Sequence, residues 1–229
     1  MGLKKVDIIN EEWDTIIVLD ACRFDMFKDI AHPILGDKLE KRWSTGCNTA
    51  QWARSQFNEG FENVVYLDSS THITKLRGSK FKHIEPIWKD GWDDELGTVP
   101  PWTVIDRYKK FRNEKKLIIH FFQPHQPFLD GNKRIFRKPK PGKKYDNEWQ
   151  RIYTGELSLE EVIDAYHINL RTVIPYVKEI LDDRDGISIV TADHGNLYEF
   201  PYWHMPGEMK PEQWNDIGLR LVPWLIIKK

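Results

Sequence analysis

The chain has 229 residues, of which 40% are hydrophobic and 13% aromatic, so it can build a packed core, and this composition excludes a disordered chain. The formal net charge of −1 gives no global attraction to nucleic acid or to an anionic membrane, and we expect no nucleic-acid partner. The two cysteines exclude a disulfide framework and a four-thiolate zinc site, and they fit a reducing compartment.

The first residues contain no apolar signal segment and no myristoylation motif. No window approaches the run of about eighteen apolar residues that a membrane span needs. We therefore expect a cytoplasmic protein without a membrane span. The length suits one α/β domain of ordinary size or two small ones.

Residues 14–20 form the first apolar run, which ends in Asp20. The run predicts a central parallel strand, and residues 21–30 have apolar side chains at helical spacing, so we expect a short helix that packs back on the sheet. Asp20 is therefore expected at the carboxyl end of a strand. Haloacid-dehalogenase-type phosphatases begin in a similar way, but they need a second Asp two residues on, where this chain has Cys22.

Thr49 precedes a predicted helix of about two turns at residues 50–57, where it is a natural N-cap. A hydroxyl at a helix N-terminus lies beside backbone N–H donors and the positive end of the helix dipole. These groups would stabilise a phosphate or a developing oxyanion. Capping alone is the commoner role for threonine at such a position.

The middle of the chain predicts two more strands, at residues 62–68 and 116–122. Residues 69–98 are expected to be irregular, and residues 98–111 predict a helix that starts at prolines. The second of these strands leads to His125, which lies between two prolines on a stiff loop just past the strand. A surface loop histidine is the alternative interpretation.

A long excursion is expected at residues 130–157. Within it, residues 133–144 carry seven basic residues and no acidic one. Such a segment suits either an electrostatic funnel for an anionic substrate or a solvated, mobile loop.

The clearest helix follows Ser158, where a capping-box motif precedes a long apolar stripe. Pro175 is expected to kink this helix or to divide it in two. The last predicted strand covers residues 219–227, and Pro223 suggests an edge strand or a bulge. His204 precedes it in a loop with Pro and Gly, where a surface role is the commoner one.

Asp193 and His194 follow a second apolar run, at residues 187–192. The run is rich in β-branched residues and bounded by glycines, which predicts a buried strand. In open α/β sheets, ligands bind at the carboxyl ends of the strands. Carboxylate beside neutral imidazole is a ligand set that suits Zn, Mn or Fe. An ordinary turn with a surface histidine is equally compatible with this pair alone.

Five motifs, taken together, resemble those of the alkaline phosphatase superfamily and, within it, the sulfatase-like branch. They are IIVLDACRFD, STGCNTAQW, HFFQPHQPF, IVTADHGN, and His204 followed by LRLVPWLII. They occur in the family's order over residues 16–227, and WKDGWDDELGTVPP also resembles uncharacterised archaeal and bacterial members. The resemblance implies one α/β domain over residues 1–229, a three-layer sandwich in which a mixed, largely parallel sheet has helices on both faces and a metal site at its carboxyl edge.

The resemblance also implies roles for individual side chains. Asp20, Asp193 and His194 are similar to the family's metal ligands, and Thr49 to a nucleophile whose oxygen touches the metal. The histidines similar to those that contact the transferred group or its leaving oxygen are His125 and His204. The residues similar to substrate contacts are Arg23, Cys47 and Asn48.

Two departures from the family's patterns affect these expectations. Sulfatases that use a formylglycine have Cys-x-Pro-x-Arg, whereas this chain continues from Cys47 as Asn-Thr-Ala-Gln, so we do not expect conversion of Cys47. Gln123 stands where two-metal phosphatases of the family suggest an acid. We therefore expect one divalent ion, with Mn or Zn favoured over Ca or Mg, and a second, weaker ion as the alternative.

The resulting hypothesis is a metal-dependent hydrolase or transferase that cleaves a phosphate ester or phosphodiester through a covalent Thr49 intermediate. One alternative is a sulfatase. Another is a non-catalytic binder of an anionic glycan or phospho-ligand, since aromatic faces such as those of Trp can stack on sugars. The expected partner is an anionic ester, small or carried on a glycan, and the oligomeric state is left open.

Overall fold

A computed structural model describes residues 2–142, 146–198 and 217–229. A sheet of seven strands forms its centre, with the order β2-β9-β8-β1-β5-β3-β4. The strands within the described residues are β1 (Thr15–Asp20), β2 (Lys38–Trp43), β3 (Phe61–Asp68), β4 (Phe81–Glu85), β5 (Leu117–Pro124), β6 (Leu129–Asp130), β7 (Lys133–Arg134), β8 (Ile187–Thr191) and β9 (Leu221–Lys228). The two short strands β6 and β7 form a separate hairpin.

Only β9 runs against the other strands of the sheet, since it is antiparallel to both of its neighbours, β2 and β8. The remaining neighbours pair in parallel. The central strand β1 is buried at every position, as expected for a strand covered on both faces. The carboxyl ends of β8, β1, β5 and β3 therefore meet at one edge of the sheet, which confirms the expected mixed and largely parallel arrangement.

Helices cover both faces of this sheet and bury its apolar side chains in one large core. The helices are α1 (Phe24–Ile30), α2 (His32–Leu35), α3 (Thr49–Gln56), α4 (Thr71–Arg77), α5 (Pro101–Phe111), α6 (Glu148–Tyr153), α7 (Leu159–Asp183) and α8 (Ile217–Arg220), with short 3-10 helices at Gly78–Lys80 and Ile87–Lys89. Helices α1 and α5 both pack against α7, while α3 packs against α4. Among the described residues, no helix combines the length and the apolar composition needed to cross a bilayer.

The expectation that residues 69–98 are irregular is wrong. This stretch contains α4, whose N-cap Ser70 accepts a hydrogen bond from His72 N, and the edge strand β4. The sequence also gave no indication of β2, the other edge strand. Edge strands bury one face at most, so their sequences lack the continuous apolar run that marks β1, β5 and β8.

Two expectations about proline also need correction. Pro175 does not divide its helix, because α7 runs from Leu159 to Asp183 and holds a buried apolar stripe on both sides of the proline. Pro223 does not mark an edge, because β9 lies between β2 and β8. The neighbouring Trp224 pairs with Thr191, the last residue of β8, so Pro223 lies just beyond that pairing.

The excursion at residues 130–157 is more ordered than a loop, since it contains the β6–β7 hairpin and α6. Several of its basic side chains have acidic partners, which reduces the free charge available for an electrostatic funnel. The pairs are Arg134 with Glu148 at 2.8 Å, Arg137 with Asp146 at 2.8 Å and with Glu156 at 2.6 Å, and Lys138 with Glu95 at 3.0 Å. Lys143 and Lys144 lie outside the described residues.

Candidate metal centre and active site

Asp193 lies just past the end of β8 and is fully buried. Its Oδ1 accepts two backbone hydrogen bonds, from Ala21 N at 3.0 Å and from His194 N at 2.8 Å. Its Oδ2 is buried and has no hydrogen-bond partner. The backbone thus fixes the carboxylate through one oxygen and leaves the other to face the site.

His194 is held in a defined orientation by its own backbone. The ring Nδ1 lies 2.6 Å from Gly195 O, and because a carbonyl can only accept, Nδ1 carries the proton. Nε2 then has a free lone pair. It lies 3.5 Å from Asp193 Oδ2 and 3.7 Å from Asp20 Oδ1.

Asp20 is the last residue of β1. The pairing between β1 and β5 is irregular at this point, because Leu19 pairs with Phe121 whereas Asp20 pairs with Pro124. The side chain is 3% exposed, and its Oδ1 has no hydrogen-bond partner. Burial, followed by the charges of Asp193 and Asp68, raises the pKa of Asp20 well above its ordinary value. An uncompensated pair of buried carboxylates is unfavourable, and a bound cation would relieve it.

Asp20, Asp193 and His194 form what we call the ligand cluster. One ligand atom from each lies within 4.8 Å of the others, and all three side chains are buried. The two unpartnered carboxylate oxygens fit a cation, because buried polar atoms in proteins are otherwise hydrogen-bonded. A set of two oxygens and one imidazole nitrogen suits Mn or Zn.

Ala21 supports the ligand cluster through an unusual backbone conformation. Its φ is +58°, which side chains other than glycine rarely adopt, and this turn aims its N–H at Asp193. The Tyr166 hydroxyl donates to the carbonyl of the same residue. Strain in this region of φ is commonly retained at functional sites, where the surrounding structure holds it in place.

Thr49 lies at the ligand cluster, but it does not cap α3 as expected. The N-cap is Asn48, whose extended backbone precedes the helix and whose Oδ1 accepts from Gln51 N at 3.0 Å. Thr49 is the first helical residue, so its hydroxyl is not needed for capping. Burial raises the pKa of Asp193, but the neighbouring imidazoles of His194 and His120, the Ala21 N–H and the nearby Thr49 hydroxyl hold it below its ordinary value.

The three residues predicted to contact substrate make hydrogen bonds within the chain. Asn48 is the cap of α3, and the thiol of Cys47 donates to Gln51 Oε1 at 2.9 Å. Burial raises the pKa of Cys47, which keeps it protonated. Arg23 donates from Nε to Asp25 Oδ1 at 2.9 Å and from Nη1 to Asn196 O at 2.7 Å, so it braces the loop after β8.

His125 follows β5 at the same edge of the sheet and is half-buried. Its Nδ1 lies 2.6 Å from Gln126 O. Burial lowers the pKa of His125 to about 4, and the charges of His194 and Asp193 also act on it. The imidazole is therefore neutral at pH 7 in the metal-free protein. His204, its expected partner in catalysis, lies outside the described residues.

Two other polar residues at this edge are not part of the cluster. Asp68, at the end of β3, has both oxygens satisfied by Ser70 and Thr74, with Ser70 N at 3.0 Å and Thr74 N at 2.9 Å. Gln123 turns its Nε2 to Val99 O at 3.1 Å. The oxygens of Asp68 are thus engaged by the chain, whereas Gln123 Oε1 is buried without a hydrogen-bond partner.

The sequence interpretation missed His120, which lies within the buried strand β5. The imidazole is fully buried, its Nδ1 is 2.9 Å from the Tyr66 hydroxyl, and its Nε2 is 3.8 Å from Asp20 Oδ2. A histidine inside the run LIIHFF was the available signal. Burying an imidazole is unfavourable unless its nitrogens find partners, so its presence in such a strand points to a specific contact.

Comparison with known proteins gives no match to any protein-family model and none to curated proteins. Solved structures are similar in fold. The integral membrane protein lipooligosaccharide phosphoethanolamine transferase A (EptA) from Neisseria meningitidis matches with a TM-score of 0.64 and 15% identity, over 98% of this chain and 48% of that one. The chain therefore spans about half the length of EptA.

Two further structures extend this likeness. A putative sulfatase from Bacteroides thetaiotaomicron matches with a TM-score of 0.56 and 15% identity, over 95% of this chain and 64% of that one. A protein in the alkaline phosphatase superfamily from Vibrio parahaemolyticus matches with a TM-score of 0.51 and 11% identity, over 99% of this chain and 62% of that one. At such identities the likeness concerns the fold.

Proposed function

We propose that this chain, which has the fold of the alkaline phosphatase superfamily, is an enzyme. Its proposed reaction is transfer or hydrolysis at a phosphate ester or phosphodiester. The observation that carries the proposal is the ligand cluster, in which Asp20 Oδ1 and Asp193 Oδ2 are buried, unpartnered and close to His194 Nε2. The buried hydroxyl of Thr49 lies beside it at the start of a helix.

The proposed cofactor is one divalent ion, Mn or Zn, held by the ligand cluster and touched by the Thr49 oxygen. When bound, such an ion lowers the pKa of a hydroxyl and offsets negative charge on the transferred group. The α3 N-terminus adds backbone N–H donors and the positive end of its dipole on the same side. Both features favour an anionic ester as substrate.

In the proposed reaction, Thr49 Oγ1 gives up its proton to solvent and forms a bond to phosphorus, while the bond from phosphorus to the leaving oxygen breaks and that oxygen takes up a proton. The covalent ester is then transferred to water or to an acceptor hydroxyl, which restores Thr49. His125 and His204 are proposed to contact the transferred group or the leaving oxygen. Because burial lowers the pKa of His125 to about 4, its proposed role is that of a neutral hydrogen-bond partner.

A phosphate substrate is favoured over a sulfate ester because Cys47 offers no activated group. Its thiol is protonated, donates to Gln51 and lacks the Cys-x-Pro-x-Arg context. The free thiols of Cys22 and Cys47 fit the proposed cytoplasmic location. Small or glycan-borne anionic esters are the proposed substrates.

A panel assay tests this function. Purified protein supplied with Mn or Zn is given phosphomonoester, phosphodiester and sulfate ester substrates, alongside Thr49→Ala and Cys47→Ala. We expect turnover of a phosphate ester that Thr49→Ala reduces by several orders of magnitude and Cys47→Ala largely retains. Sulfate ester turnover that depends on Cys47 would favour a sulfatase. If the parent binds a phospho-ligand but turns over no ester with either ion, the chain is a binding protein.

A further inference from the structure

His120 has a buried nitrogen that the fold itself does not use. The side chain is fully buried, and its Nε2 has no hydrogen-bond partner. This atom faces Asp20 Oδ2 at 3.8 Å, which is longer than a hydrogen bond. The other carboxylate oxygen, Asp20 Oδ1, faces the other members of the ligand cluster and lies 3.7 Å from His194 Nε2. His120 and His194 thus approach different oxygens of the Asp20 carboxylate.

The sheet register explains why these side chains meet. In the parallel pairing, His120 of β5 lies opposite Val18 of β1 and Asp68 of β3. Side chains two residues apart in a strand share a face, so Asp20, two residues after Val18, and Tyr66, two residues before Asp68, point to the same side as His120. Three neighbouring strands therefore place hydroxyl, imidazole and carboxylate in a row.

Tyr66 determines which ring nitrogen of His120 carries the proton. Its hydroxyl lies 2.9 Å from His120 Nδ1, and Tyr66 is itself fully buried. If the hydroxyl donates to Nδ1, its hydrogen has an acceptor, and the imidazole proton lies on Nε2, directed at Asp20. The opposite assignment would make the tyrosine hydroxyl the acceptor, leave its hydrogen without His120 as an acceptor, and aim a bare lone pair of Nε2 at a carboxylate. The first arrangement is therefore favoured.

We propose that Tyr66 and His120 are positioning residues that hold the Asp20 carboxylate through Oδ2, so that Oδ1 is presented to the metal ion. This inference rests on the metal-dependent function proposed above. Outer hydrogen bonds of this kind orient metal-ligating carboxylates, and their loss commonly lowers metal affinity. With an ion bound, His120 Nε2 would donate to Asp20 Oδ2 and hold the carboxylate in its ligating orientation.

A purely structural role for His120 predicts something different. A structural histidine would stabilise the metal-free fold, and its loss would affect folding first. Here, the unpartnered Nε2 contributes nothing to the metal-free fold, and the ring packs edge-on against Trp52 with centroids 6.0 Å apart. An apolar replacement should therefore weaken the metal site, while the fold loses only the hydrogen bond between Nδ1 and the Tyr66 hydroxyl, as it also does in Tyr66→Phe.

The test compares dissociation constants for Mn and Zn, measured by competition with a chelating dye, together with melting temperatures of the metal-free proteins. His120→Leu removes both ring nitrogens, Tyr66→Phe removes the hydroxyl that fixes the tautomer, and His120→Gln keeps an N–H donor near the position of Nε2. Tyr108→Phe is the matched control, because it removes another buried tyrosine hydroxyl, one bonded to Asp183 Oδ2 at 2.6 Å at the end of α7.

We expect His120→Leu to weaken metal binding by about 10-fold to 100-fold. Tyr66→Phe should weaken it less, and His120→Gln and Tyr108→Phe should stay near the parent value. Metal-free His120→Leu should melt close to metal-free Tyr66→Phe, because both variants lose the same buried hydrogen bond. Unchanged affinity in both His120→Leu and Tyr66→Phe would overturn the inference, as would loss of one of two bound ions, which would make His120 a ligand. A parent that binds neither ion would instead overturn the proposed function and this inference with it.

Discussion

Asp193 and Asp68 show how two buried strand-end acids of the same sheet can differ in role. Asp68 has protein donors on both oxygens, whereas Asp193 has them only on Oδ1 and keeps Oδ2 unpartnered. A carboxylate with every lone pair satisfied by the chain stabilises the local fold. One with an unpartnered buried oxygen is available to a cation.

Asp193→Asn should therefore abolish tight metal binding with little change in side-chain volume. The amide keeps an oxygen for the backbone donors but presents no negative charge at the position of Oδ2. We expect the dissociation constant for Mn or Zn to rise by more than about 100-fold, as measured by isothermal titration calorimetry.

Asp68→Asn provides the matched control for that measurement. It should leave metal affinity within several-fold of the parent and lower the free energy of unfolding by about 1–3 kcal/mol, because Ser70 and Thr74 would lose a charged acceptor. If the two variants lost metal equally, the distinction between their roles would be wrong.

At the scale of elements, sequence patterns were informative where an element is buried on both sides. The strands β1, β5 and β8 are continuous apolar runs, and the ligand residues Asp20, Asp193 and His194 could be predicted because they follow such runs. The edge strand β2, KLEKRW, is rich in charge and gave no such signal.

Two details of the site depended on geometry that no local pattern contains. The helix cap is Asn48 rather than the predicted Thr49, because the backbone of Asn48 is extended and Thr49 is already helical. His120 has a role only because strands distant in sequence, β1 and β3, lie on either side of β5. Tertiary register, which a single strand's sequence does not determine, decides both which side chains meet and which oxygen each one faces.

The α7 helix tolerates Pro175 rather than requiring it. Pro175 is exposed on the helix surface, between the buried residues Ile174 and Val177. Pro175→Ala would restore a backbone donor and remove a clash with the preceding turn. The unfolded chain would gain conformational entropy without the proline, which offsets part of this stabilisation. We expect the free energy of unfolding to rise by about 1–3 kcal/mol in urea titration.

The neighbouring Val173 serves as a control for the same helix. Val173→Ala removes buried apolar contact and should destabilise the protein by about 1–3 kcal/mol. A Pro175→Ala protein less stable than the parent would mean that the proline supports a helix geometry that the core needs.

For the whole molecule, the ligand cluster should link metal binding to folding stability. The metal-free fold buries two facing carboxylates, and a cation that binds only the folded state stabilises it. At a concentration about 100 times the dissociation constant, the ion should add about 2.7 kcal/mol and raise the melting temperature by roughly 5–10 °C over chelated protein.

This metal-dependent rise should shrink as pH falls. Burial beside Asp193 raises the pKa of Asp20, so protons compete with the ion for that carboxylate from a higher pH than for an exposed acid. Scanning fluorimetry at several pH values, with Asp193→Asn as the control, measures the effect. An equal rise in parent and Asp193→Asn would place the stabilising ion elsewhere.

The central claim is that a metal held by the ligand cluster activates Thr49 as a nucleophile. The most direct measurement is peptide mapping by mass spectrometry of protein quenched in acid during turnover of its best phosphate ester, with and without chelator. The account predicts one added phosphoryl group, or its substituted form, on Thr49, present with the ion and absent after chelation. An adduct on Cys47, or steady turnover with no adduct on Thr49 under any quench time, would contradict it.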